Sequence, residues 1–103
     1  MNKQQIKELL QIKNVEDITS LNIIDEYEDD HQQCAEVEIN GVPVEFLWFD
    51  ELGFLYYYNE SPKAATKLIE SIRFCCYSAM ERLEEEDFKE VAHLHSELAK
   101  EFK

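Results

Sequence analysis

Between Asn14 and Pro62 the chain has no lysine and no arginine. Those residues hold thirteen of its 23 carboxylates, while the rest of the chain has ten acids against ten bases. The whole formal charge of −13 therefore belongs to one continuous segment. Charge of this sign repels phosphate backbones and anionic lipid, which excludes nucleic acid and membrane as direct ligands and favours a basic protein surface.

Glycine and proline are also scarce, two of each, and no repeat or low-complexity run is present. That argues against a long linker and for a single domain over 1–103. With 45% apolar and 12% aromatic residues the chain has enough to bury, despite a charge that pushes acidic chains towards disorder. No apolar run approaches the roughly 18 residues of a membrane span, and Met1-Asn2-Lys3-Gln4-Gln5 opens no signal-peptide core. The expectation is a soluble, cytoplasmic protein. Three cysteines, Cys34, Cys75 and Cys76, are an odd number without metal-ligand spacing, which fits free thiols in a reducing compartment.

Catalytic motifs are lacking too. Asp25 to His31, with Glu36 twelfth from Asp25, has the acid density of a calcium loop, but Tyr27 takes the third ligand position and Asp30 the place that needs glycine. Glu90-x-x-His93 is one copy of a motif that di-iron bundles need twice. Cys75, Cys76 and Ser78 have no base at motif spacing. No enzyme activity, metal or cofactor is expected.

Hydrophobic spacing organises the rest. Ile6, Leu9 and Leu10 make one stripe of a short helix from 3 to 13 that begins at Asn2. From Ile18 the period becomes two, and Asp29 to Gln32 reads as a turn. Gln33 to Asn40 alternates with Ala35, Val37 and Ile39 inward and Cys34, Glu36 and Glu38 outward. Asn40-Gly41 predicts a type I′ hairpin, since that turn needs positive φ at both central residues. Its register places Ile39 opposite Val42, Val37 opposite Val44, Ala35 opposite Phe46 and Glu38 opposite Pro43. It also sets Glu36 against Glu45, although like charges directly opposite are destabilising.

Asp50 to Gly53 reads as a further hairpin loop and Phe54 to Tyr58 as a fourth strand. That strand gathers Leu47, Phe49, Phe54, Tyr56 and Tyr58 at one end of the outer face. Ser61-Pro62 starts a long helix, and a second follows with Phe88, Val91, Ala92, His95 and Leu98 in register; Asp87 and Glu90 have capping-box spacing. The expected fold is α+β: an N-terminal helix, a four-stranded mostly antiparallel sheet and two C-terminal helices.

In this reading Glu26, Glu28, Glu36, Glu38 and Glu45 form a lattice of negative charge, flanked by Asp25, Asp29, Asp30, Asp50 and Glu51, with Tyr56 and Tyr58 adding aromatic anchorage. The bland alternative is a solvated face that keeps the protein soluble. Solubility alone does not require every base to be excluded from so long a segment. In size, charge and charge placement over residues 14 to 62, the chain resembles the small acidic inhibitors of phages and mobile elements. These include anti-CRISPR and anti-restriction proteins, many of which mimic nucleic acid. It is similar also to immunity proteins that neutralise nuclease toxins. The resemblance implies a non-enzymatic inhibitor whose partner is a basic nucleic-acid-binding effector or nuclease. A rival from another class is a structural module that homodimerises through the aromatic end of the sheet.

Overall fold

The computed structural model describes residues 1–47 and 52–100. The chain is α+β, in the order α1 (Lys3–Leu10), a 3-10 turn (Val15–Asp17), β1 (Leu21–Asp29), β2 (Gln32–Ile39), β3 (Val42–Phe46), α2 (Gly53–Tyr57), α3 (Pro62–Met80) and α4 (Glu85–Ala99). The three strands form one antiparallel sheet in the order β1-β2-β3.

The second hairpin follows the sequence pattern closely. Asn40 (φ 51°) and Gly41 (φ 82°) both take the left-handed conformation, and every pair of the expected register is present, from Ile39–Val42 to Ala35–Phe46. Asn40 has a further role. Its side-chain oxygen accepts from the Thr19 N–H (2.7 Å), the Thr19 hydroxyl (2.9 Å) and the Ser20 N–H (3.1 Å), and its amide donates to the Asp17 carbonyl (2.9 Å). The turn is thereby tied to the segment that leads into β1.

The first hairpin departs from simple alternation. A β-bulge between Ile23 and Asp25 puts an extra residue into β1, so the strand's faces exchange beyond it. Before the bulge Leu21 and Ile23 oppose Ile39 and Val37; after it Asp25 opposes Glu36 and Tyr27 opposes Cys34. The hairpin closes at Asp30 (φ 46°) and His31 (φ 69°), two non-glycine residues held left-handed.

The inner face of the sheet supplies Ala35, Val37, Ile39, Val42, Val44 and Phe46 to the core. Helices cover it with Ile6, Leu9 and Leu10 from α1, Phe54 and Leu55 from α2, Leu68, Ile72 and Cys76 from α3, and Val91 from α4. α1 starts in a capping box, the Asn2 side chain accepting from the Gln5 N–H (2.9 Å) and the Gln5 side chain from the Asn2 N–H (3.0 Å). At its other end the Arg73 guanidinium donates to the Leu10 and Ile12 carbonyls, meeting the partial negative charge of the helix terminus. α3 opens as expected, with Pro62 in its first turn and the Ser61 hydroxyl accepting from the Ala64 N–H (3.3 Å). α3 and α4 are separate helices, but with α2 three helices follow the sheet where two were expected, and α4 begins at Glu85, ahead of the Asp87 cap that the spacing suggested.

The expected fourth strand is corrected. Phe54 to Tyr57 lie in α2, and the sheet has three strands among the described residues. Leu55 and four aromatic residues fill every position and give no period, so their strand propensity carried the expectation. The fold instead buries Phe54 and Leu55, half-buries Tyr58 and turns Tyr56 and Tyr57 outward, which is helical spacing. The flank of β3 is also taken: α3 packs there, and the Cys75 thiol donates to the Glu45 carbonyl (3.5 Å). The aromatic end of the outer face, on which the homodimer rested, therefore does not form from Phe54, Tyr56 and Tyr58. Phe49, Asp50 and Glu51, to which other parts of that expectation were assigned, lie outside the described residues.

Candidate functional site

Directly opposed residues of a sheet share a face, so the ladders specify what the outer surface carries. One row runs Asp25–Glu36–Glu45 across all three strands. The next runs Asn22–Glu38–Pro43, and towards the hairpin tip come Tyr27 opposite Cys34 and Asp29 opposite Gln32. Five carboxylates, Asp25, Asp29, Glu36, Glu38 and Glu45, thus stand on one side of the sheet. Asp25, Asp29 and Glu45 are exposed, and Glu36 and Glu38 are half-buried.

Neighbouring strands are about 4.8 Å apart, so three acids in a row confront each other with water as the main screen. The ion pairs that lysines form among the described residues lie elsewhere. Lys3 pairs with Asp87 (2.9 Å) and Glu90 (3.2 Å), and Lys7 with Glu90, which fastens α1 to α4. Hydrogen bonds and charge from Asp87 and Glu90 raise the Lys3 pKa, while Lys7 and Lys3 lower that of Glu90. Lys89 within α4 pairs with Glu85, and Lys100 at its C-cap with Glu97 (3.4 Å each). Among the described residues, no ion pair involves Asp25, Asp29, Glu36, Glu38 or Glu45. Arg82, just after α3, lines a hollow of about 310 Å³ together with Glu36 and Glu45.

Tyr27 marks the field of this face. Burial raises its phenol above the ordinary range, and charge at Glu45, Cys34, Asp29 and Glu36 acts in the same direction. The ring stands beside Cys34, which is fully buried on the outer face and donates to the Leu47 carbonyl (3.5 Å).

The bulge redistributes the other expected residues. Simple alternation groups Glu26 and Glu28 with Glu36, but the structure puts them on the opposite face, with Asp25, Tyr27 and Asp29 in their place. Glu26 there accepts a hydrogen bond from the Tyr56 hydroxyl, which raises that phenol's pKa. Asp30 sits in the turn, and Glu28 lies 3.9 Å from the His31 ring at the tip. Tyr58 packs against the core. Of the expected partner residues, the structure gathers Asp25, Asp29, Glu36, Glu38 and Glu45 on the outer face. Glu26, Glu28 and Asp30 ring the hairpin, and Tyr56 reaches the arm from beneath; Asp50 and Glu51 are outside the description. Tyr27 was missed. Its signal was the doublet Ile23-Ile24, two apolar residues in succession where alternation demands one.

No family model, curated protein or solved structure significantly matches this chain.

Ile24 to Gln33 is exposed on both faces, so the first hairpin projects from the body as a two-stranded arm. It carries Asp25, Glu26, Glu28, Asp29 and Asp30. No helix among the described residues is long and apolar enough to cross a membrane, and no three His, Cys, Asp or Glu side chains among them converge as a metal site. The larger groove, about 650 Å³ between α3 and the segment after α1, is lined by Lys13, Glu16, Glu70, Arg73 and His95 and lies apart from the acidic face.

Proposed function

We propose that this chain is a non-enzymatic inhibitor that places its acidic sheet face and projecting hairpin against the basic, nucleic-acid-binding surface of a defence-system effector or nuclease. The observation that supports the reading best is the row Asp25–Glu36–Glu45, three like charges held directly opposite one another without an ion pair among the described residues. Such an arrangement costs stability in the free protein. Local rules broken in this way are expected where a surface serves a partner. The spacing suits the task. Charges recur about 4.8 Å apart across the strands and about 6.6 Å along them, sparser than the one per roughly 1.7 Å of duplex DNA but similarly regular.

A rigid sheet presents these groups without an ordering cost on binding, so the affinity is not spent on folding. Charge complementarity adds fast, salt-sensitive association. The test is competition. A basic effector recovered on the immobilised chain should release a labelled duplex oligonucleotide when the chain is added, and Glu36→Gln with Glu45→Gln should weaken that release. A partner that keeps its oligonucleotide, or a double variant that competes as well as the parent, defeats the reading.

A further inference from the structure

We infer that the free edge of β1 is a strand-addition site for a cationic, extended polypeptide segment. This rests on the acidic surface being the partner-facing one and adds main-chain recognition to charge. The sheet has two edges. That of β3 is flanked by α3, and Pro43 has no N–H to offer. β1 is the other: nine residues long, with nothing paired to its outer side among the described residues. Every second residue of an antiparallel strand turns its N–H and C=O away from its neighbour, so this edge offers an unused row of donors and acceptors.

Its surroundings leave room for an incoming strand. From Ile24 to Asp29 the residues are exposed on both faces of the arm. The bulge at Ile23/Asp25 ends the regular stretch on one side and the tight turn at Asp30-His31 ends it on the other. The usable edge is Asp25–Asp29, about 16 Å at the rise of a strand.

The side chains then select the occupant. Asp25 and Asp29 lie on one face of this stretch and Glu26 and Glu28 on the other, so both faces are acidic. A second copy of β1 would set acid against acid, which opposes self-pairing. A segment with Lys or Arg would meet Asp25 or Asp29 on one face and Glu26 or Glu28 on the other. Tyr27, 37% exposed, offers its ring to the aliphatic stem or the charge of such a side chain. The same residues thus reject the protein's own copy and favour a basic partner.

The probe is a short peptide of alternating lysine and valine, beside the same peptide N-methylated at alternate residues so that its charge persists but its donors are lost. Binding to the full chain is followed at about 0.15 M salt, where surface charges farther apart than roughly 8 Å are screened, together with amide exchange of β1 by NMR. The parent peptide should slow exchange within Asp25–Asp29 by roughly tenfold or more, and the methylated one should not. Equal binding of both with unchanged exchange overturns strand addition and leaves the acidic-face reading standing. No binding of either overturns strand addition as well, and the oligonucleotide competition then judges the acidic face separately.

Discussion

Glu36 of β2 stands between two other acids, opposite Glu45 of β3 on one side and opposite Asp25 of β1 on the other. It is the middle charge of the row, so its removal relieves two repulsions where removal of Glu45 relieves one. Opposed like charges in a sheet cost roughly 0.2–1 kcal/mol per pair. Glu36→Gln should therefore stabilise the free protein by about 0.5–1 kcal/mol, and Glu45→Gln by about half as much. In a domain of this size that raises Tm by a few degrees, since ~1 kcal/mol corresponds to about 4–8 °C. Added salt should raise the Tm of the parent more than that of Glu36→Gln. Thermal melts across a salt series check both statements, and equal gains from the two variants would disprove the row.

The two tight turns differ in how well their residues suit left-handed backbone. Gly41 adopts it freely, and a Cβ there would meet nothing within 4 Å, so Gly41→Ala carries a purely conformational cost of about 1–2 kcal/mol. His31 is in the same region without that freedom, and His31→Gly should gain about 1 kcal/mol. Asn40→Gly keeps the turn but deletes the bonds to Thr19, Ser20 and Asp17, for a loss of about 1–3 kcal/mol. Urea denaturation with an unchanged slope measures all three.

The second hairpin was legible because two independent signals agreed: Asn40-Gly41 specified the turn, and apolar residues at alternate positions of both strands specified the register. The first hairpin was only half legible. Its turn lies where the polar run Asp29-Asp30-His31-Gln32 suggested, but the Ile23-Ile24 bulge reverses the faces of everything from Asp25 to Asp29. One extra residue therefore moved Glu26 and Glu28 off the candidate site and brought Tyr27 onto it. The fourth strand failed for another reason. Phe54 to Tyr58 has no alternation to read, and its conformation follows from tertiary packing: Phe54 sits 6.3 Å from Phe46, edge to face, in the core. The helix boundaries at Asn2 and Ser61 were legible because caps are local chemistry. The Arg73 bridge to α1 joins residues more than sixty apart in sequence and leaves no local trace.

All three cysteines are buried, and burial pushes the thiols of Cys75 and Cys76 up to about 12. Thiolate is the reactive form, so both should be inert near neutral pH in the folded protein. A thiol reagent at pH 8 should label none of the three under native conditions and all three in denaturant. Rapid labelling of one thiol in the folded state would show that the cover over that cysteine opens.

His95 of α4 lies beside Tyr77 of α3, ring centres 5.9 Å apart, at the seam between the two helices. Burial lowers its pKa, and the Arg73 charge acts in the same direction. In the unfolded chain an ordinary histidine takes up its proton near pH 6.5. On acidification the unfolded state therefore binds this proton before the folded state does, and unfolding is accompanied by proton uptake in the window between. The contribution of neutral His95 is fully present above about pH 6.5 and is lost as pH falls towards the lower folded value. Asp17 and Glu90, whose pKa values are also lowered, act in the same sense but below the ordinary carboxylate range of about 4. The two windows are separate, so melts between pH 7 and 5 isolate the histidine. Tm should fall over that interval in the parent and fall less in His95→Phe, which keeps an aromatic ring against Tyr77. An equal decline in both proteins would place the proton uptake on another group.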